Sequence, residues 1–153
     1  MKIRQATTND VTAMALVIDI SARKFIIGEF SNAGKTHFLQ ANNAAKLREF
    51  IDMGFEYFVA EQGEEIIGLI GMRENSHLYH LFVAESCQGQ GIARALWQTA
   101  MHHCLALGNP GRFTVNASNN AVGVYLSLGF HRTAEMQQSN GVLYNPMLLE
   151  FSR

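Results

Sequence analysis

The sequence predicts an α+β domain built on a mixed β-sheet. Three observations carry that expectation. Apolar residues recur at helical spacing through the first 54 residues, then give way to aromatic and β-branched strand-like runs between Phe55 and Ala84. One long amphipathic segment separates those strands from the rest of the chain. Shorter strands and one short helix, closed by Gly129, follow it.

Lys2 to Ala6 reads as a strand. Thr8-Asn9-Asp10 offers side-chain oxygens to the free amides of a first helical turn, so a helix starts there and runs through Met14, Leu16, Val17 and Ile20. A second helical region lies between about Thr36 and Met53, with Asn42-Asn43 as a break and Gly54 as its cap. Residues 55–60, 65–72 and 77–84 read as an antiparallel meander, joined by turns at Gln62-Gly63-Glu64 and Glu74-Asn75-Ser76. A helix follows from about Gly89 to Leu107, with Ile92, Leu96, Ala100, Cys104 and Leu107 on one face. Gly108-Asn109-Pro110-Gly111 stops it. Arg112 to Asn116 is a strand, and Asn119 to Leu128 is a helix closed by Gly129. Two last strands, about Phe130 to Met136 and Leu143 to Phe151, surround Ser139-Asn140-Gly141. The order is β-α-α-β-β-β-α-β-α-β-β.

The 153 residues suit one domain over residues 1–153, long enough for a hydrophobic core. A net charge of -1 supplies no global field for nucleic acid or an anionic membrane, so neither is expected as a partner. No apolar run reaches the roughly 18 residues of a membrane helix, and Met1-Lys2-Ile3-Arg4-Gln5 lacks the apolar core of a signal peptide. Cys87 and Cys104 form neither a CxxC pair nor a metal spacing, and the histidines have no ligand partners in sequence. A reduced, cytoplasmic protein without a metal site is the expectation.

Between a strand and the long helix sits Glu85-Ser86-Cys87-Gln88-Gly89-Gln90-Gly91-Ile92-Ala93-Arg94. The first amides of a helix have no internal partner, and the macrodipole makes that end positive. Gly89 and Gly91 let the backbone approach a phosphate without a Cβ clash, and Arg94 adds a cation one turn in. Taken alone, the same residues also suit a strand-to-helix turn that binds nothing. The chain has no GxxxxGK[ST] loop, and this connection lacks GxGxxG with a later acidic ribose ligand.

Gln88-Gly89-Gln90-Gly91-Ile92-Ala93 is similar to the Q/R-x-x-G-x-G/A signature of the GNAT N-acetyltransferases. The segment from Asn116 to Phe130, with Ala121, Tyr125, Gly129 and Phe130 at their spacing, resembles that family's N-x-x-A-x-x-x-Y-x-x-x-G-F stretch. The resemblance covers roughly Phe55 to Phe151; the first 54 residues match only in element order. It implies a mixed, mostly antiparallel central sheet flanked by helices, and acetyl-CoA as cosubstrate. By resemblance, Gln88, Gly89, Gln90, Gly91, Ile92, Ala93 and Arg94 surround the CoA pyrophosphate. His80-Leu81-Phe82-Val83 resembles the family's fourth strand, which implicates the backbone of Leu81, Phe82 and Val83 in holding the pantetheine arm and the acetyl carbonyl. Where the family often has an Asn, this chain has Ser118 followed by Asn119, and both are candidates for a helix-cap or pantetheine contact.

Acetyl transfer to an amine requires a deprotonated nucleophile, a polarised thioester carbonyl and a stabilised leaving thiolate. Tyr125 matches the family's proton donor to the thiolate, as a phenol with an ordinary pKa near 10. A backbone amide near Val83 is expected to polarise the carbonyl. For the base, His77 stands where some members carry a Glu, His80 lies on the same strand, and many members use ordered water. The acceptor, a primary amine on a small molecule, peptide or protein, is expected between the first helices and the last hairpin. There Arg23 to Phe30 is the candidate wall of its pocket, and Glu29 and Glu56 are either ligands for a cationic amine or simply solvated. A CoA-binding sensor or interaction module without turnover is the alternative. Members of the family often dimerise, and an exposed final strand offers a route to a homodimer.

Overall fold

The computed structural model describes residues 1–152. The strands are β1 (Lys2–Gln5), β2 (Glu56–Gln62), β3 (Glu65–Arg73), β4 (His77–Val83), β5 (Arg112–Ala117), β6 (His131–Arg132), β7 (Gln137–Ser139) and β8 (Val142–Glu150). The helices are α1 (Val11–Phe25), α2 (Asn32–Ala41), α3 (Ala44–Asp52), α4 (Ile92–Ala106) and α5 (Val122–Ser127). The sheet runs β1-β2-β3-β4-β5-β8-β6, with β7 also on β8, and only the β4–β5 pairing is parallel. This is the mixed, mostly antiparallel sheet that the sequence predicts.

Three boundaries differ from the sequence reading, each for a local reason. The second helical region is two helices, because Asn42 ends α2 and the Asn43 side chain accepts the Lys46 amide at 2.9 Å to start α3. The strand expected from Phe130 to Met136 is β6 and β7 instead. Residues 133–136 stand opposite only Asn145 and Pro146, and Pro146 has no amide hydrogen to continue a ladder. The final strand is not a simple edge: β8 pairs with β5 along Asn145–Glu150 on one side and with β6 and β7 over shorter stretches on the other.

Helices cover both faces. On one, α4 buries Ile92, Leu96, Trp97, Ala100 and Cys104 against Phe58, Ile70, Leu78 and Phe113. The Trp97 ring meets Phe113 and Phe130 edge-on at 5.0 and 5.3 Å. On the other, α1 and α3 bury Met14, Ile18 and Leu47 against Tyr57, Val59 and Leu69. The start of α1 is tied to the sheet edge through Arg4, whose guanidinium binds Asp10 twice at 2.9 Å and holds that carboxyl below its usual range. Among the described residues, no helix is long and apolar enough to cross a membrane.

Gly71 is a fixed point of this packing. It lies between Tyr57 on β2 and His80 on β4 in one cross-strand row. A Cβ there would stand 2.2 Å from the Tyr57 ring, so only glycine lets that ring lie across β3 toward β4. Gly71→Ala is expected to cost about 2 kcal/mol through overpacking and to lower Tm by about 4–8 °C, as thermal unfolding will check.

Candidate active site

Strand β4 carries one residue too many for its partner. Gly71 pairs with His80 and Met72 with Leu78, which leaves Tyr79 as a bulge. The bulge turns β4 away from β5: the two strands pair at His77–Thr114 and Leu78–Val115 and nowhere beyond. The sheet therefore opens from Tyr79 onward, and the β5-facing side of Leu81, Phe82 and Val83 borders a cleft of about 570 Å3.

At one end of that cleft the chain passes from β4 into α4. Gln88 Nε2 donates to the Val83 carbonyl at 3.1 Å and pins the loop to the strand end. Gly89 and Gly91 adopt φ values of 78° and 79°, a region that favours glycine, and open space surrounds both. Gly91 precedes α4 and no side chain caps that helix, so its first amides point out unsatisfied. Gln88, Gly89, Gly91, Ile92 and Ala93 line the cleft. Open amides at a positive helix end, beside an unpaired strand edge, fit the pyrophosphate and amide arm of CoA.

Across the opening, α5 brings Tyr125 to the wall. Its ring is buried against Phe130 at 5.6 Å, and burial raises the phenol pKa, keeping the proton in place at neutral pH. Ser118, Asn116, Asn120 and Ala121 line the same side. Asn119 points elsewhere. Its amide donates to Glu29 at 2.6 Å and its oxygen accepts from the fully buried Asn145 at 2.8 Å.

The floor is formed by His77 and His80. His77 Nδ1 meets Thr114 Oγ1 at 2.8 Å across the paired part of β4 and β5. His80 is engaged at both nitrogens. Asn42 donates from Nδ2 to the Phe38 carbonyl at 2.7 Å, which turns its Oδ1 toward His80 Nε2 at 2.6 Å. Nε2 therefore carries the proton, and Nδ1 accepts from the Tyr57 hydroxyl at 2.8 Å. Burial pushes both imidazoles down, His77 to about 4 and His80 to about 3, with the Arg73 charge adding to the shift at His77.

Those shifts have a consequence for stability. In the unfolded chain each histidine takes up a proton below about pH 6.5, whereas in the fold it stays neutral down to about 4 or 3. Their contribution is whole above about pH 6.5 and is lost as the pH falls toward the folded values. Each is expected to remove up to about 1.4 kcal/mol per pH unit in that window. Urea unfolding at pH 7 and pH 5 measures the loss, which His80→Asn is expected to reduce.

The structure brings most of the sequence-identified residues to one cleft: His77, His80, Leu81, Phe82, Val83, Gln88, Gly89, Gly91, Ile92, Ala93, Ser118 and Tyr125 all line it. Gln90, Arg94 and Asn119 do not. Arg94 Nη2 donates to the Ser127 carbonyl at 3.1 Å and ties α4 to α5. Of the segment from Arg23 to Phe30, Phe25, Ile26 and Phe30 face the cleft. Glu29 is held by Asn119, and Glu56 pairs with His103 of α4, so neither acid reaches the wall. Sequence reasoning missed Asn42, Asn120 and Tyr57. Asn42 was visible only as a helix break, and the role of Tyr57 needs the register across three strands.

A mixed sheet parted between its fourth and fifth strands, with an open-amide loop at the mouth and a buried tyrosine opposite, defines an acetyltransferase-type scaffold. The acetyltransferase (GNAT) domain profile matches residues 26–151. Rat N-acetyltransferase 8B is 33% identical over 95 residues, covering 55% of this chain and 43% of the rat protein. The chain spans less than half the length of the curated relatives it matches. Among solved structures, a GCN5-related N-acetyltransferase from Rhodopseudomonas palustris superposes with a TM-score of 0.83 at 18% identity, covering 98% of this chain and 95% of that one. The PaiA N-acetyltransferase from Thermoplasma acidophilum, in complex with coenzyme A, gives 0.79 at 18% identity and 98% coverage of both chains. The chain belongs to the GNAT acetyltransferase family.

Proposed function

We propose that the protein is an acetyl-CoA-dependent N-acetyltransferase that moves the acetyl group directly to a primary amine. The observation that carries this reading is the opening of the sheet after Leu78, which places an unpaired strand edge between the Gly89–Gly91 loop and Tyr125. Bound acetyl-CoA supplies an activated thioester carbonyl. The chain's own groups do the rest. The amides of Gly91, Ile92 and Ala93 hold the pyrophosphate at the positive end of α4. The free edge of Leu81 to Val83 orients the arm, and an amide near Val83 polarises the carbonyl.

Tyr125 donates its proton to the departing thiolate. Burial raises its pKa, which keeps the phenol protonated until a stronger base appears beside it. His77 is the candidate to take the amine proton, directly or through water. Its low pKa leaves the imidazole neutral at pH 7 but gives it modest basicity. His80, with both nitrogens occupied, enters this reading as a positioning residue that holds β4 to the break between α2 and α3. Cys87 and Cys104 are free thiols, which suits a reducing cytoplasmic setting.

Thiol release from acetyl-CoA with a panel of primary amines, followed by mass spectrometry of the products, tests this reading. An N-acetylated product is expected. Tight acetyl-CoA binding with no amine turned over would favour a CoA-binding module instead.

A further inference from the structure

We infer that the acceptor half of the cleft takes a small primary amine carried on an uncharged, apolar body of aromatic-ring size, and that Phe38 sets this preference. The inference rests on the acyl-transfer reading above and names the substrate class for that same site.

The wall beyond His80 is formed by Phe25 and Ile26 at the end of α1, Phe30 after it, Phe38 on α2, and Leu143 and Tyr144 on β8. Phe25, Ile26, Phe38, Leu143 and Tyr144 are only half-buried: Ile26, Phe38 and Leu143 rest on the small core of Ala22, Ile27 and Phe30, and the surface they leave uncovered faces the cleft. Phe30 and Phe38 stand with ring centroids 6.0 Å apart and planes inclined by 57°. Phe30 is buried beneath, so the uncovered part of the Phe38 ring is the aromatic surface that another ring would cover.

The polar groups on this half, Ser21, Asn42, Ser139 and Asn140, are neutral, and His37 stands at the exposed rim. No Asp, Glu, Lys or Arg lines the cleft among the described residues, and two charges that flank the aromatic wall in sequence are engaged elsewhere. Glu29 accepts from Asn119 at 2.6 Å, and Lys24 binds Glu85 at 2.8 Å. A second ammonium or a carboxylate on the acceptor would thus lose water against Phe and Ile side chains without gaining a countercharge. An amine with an apolar body meets no such penalty and hides the aromatic wall from water. The wall is also held in place. The Phe38 carbonyl accepts from Asn42, which binds His80 on β4, so α2 keeps a fixed distance from the open strand edge.

Calorimetric titration of 2-phenylethylamine, spermidine and glutamate into the protein, with and without CoA, reads this directly. The aromatic monoamine is expected to bind at least about tenfold more tightly than either charged probe. Phe38→Glu should remove at least about tenfold of that affinity and strengthen spermidine, while Phe38→Leu, which keeps the wall apolar, should retain the order of preference. Equal or tighter binding of spermidine or glutamate, or an order unmoved by Phe38→Glu in a variant that unfolds near the wild-type temperature, would overturn the inference. A short peptide with an apolar N-terminal residue that outcompetes 2-phenylethylamine would overturn the small-molecule assignment. Binding in the expected order without acetylation would instead count against the transferase reading and leave the acceptor preference standing.

Discussion

Gly91→Glu is expected to weaken acetyl-CoA binding by at least about 100-fold, or about 2.7 kcal/mol, while the protein stays folded. Gly91 stands immediately before α4, where the helix amides have no side-chain cap. A glutamate there places a carboxylate in the field that would attract the pyrophosphate, and its own acceptor oxygens compete for the same donors. The space around Gly91 is open, so the longer side chain meets no wall. The positive φ of 79° does carry a cost of about 1–2 kcal/mol for any L side chain. Gly91→Ala separates the two effects. It is expected to lower Tm by about as much as Gly91→Glu and to retain most of the binding, as calorimetry beside thermal unfolding will show.

Tyr125→Phe is expected to lower kcat on the order of 100-fold, with the KM for acetyl-CoA nearly unchanged. The ring packs against Phe130 within the α4-side core and the phenylalanine ring repeats that packing, so stability should shift little. What the variant removes is the hydroxyl on the cleft wall. In the proposed mechanism the leaving thiolate would then have no acid partner there, and the cost would fall on the transition state rather than on binding. Steady-state kinetics on one turned-over amine checks the split. A rise in KM with kcat intact would assign Tyr125 to packing around the arm instead.

The parts of this site that are local in sequence were legible in it. Two glycines before a helix, and an Ala-Tyr-Gly-Phe spacing that runs from a turn through a short helix, are written within a few residues of one another. The parts that depend on register were not. The Tyr79 bulge follows from how β4 lies against β3, and nothing in His77-Leu78-Tyr79-His80 marks it. The bond from Tyr57 to His80 depends on Gly71 between them, a row assembled from three strands.

The same limit explains the histidines. A free imidazole has a pKa near neutrality, and only burial in the α1–α3 face, with Tyr57 and Asn42 at its two nitrogens, lowers His80 to about 3. Charged residues were likewise hard to place from sequence. Arg94 sits one turn into α4, yet α5 ends beside it and offers the Ser127 carbonyl. Glu29 lies in the predicted acceptor segment but faces Asn119. Long, solvated side chains are placed by neighbours that sequence spacing does not reveal.

Acetyl-CoA is proposed to fill the gap between β4 and β5. Calorimetric titration of the wild-type protein with acetyl-CoA, beside ADP, addresses it most directly. Binding in the range of about 1–100 μM, with ADP at least about tenfold weaker because it lacks the arm that covers Leu81 to Val83, is the expected result. Folded protein that binds neither compound, or binds both equally, would contradict it.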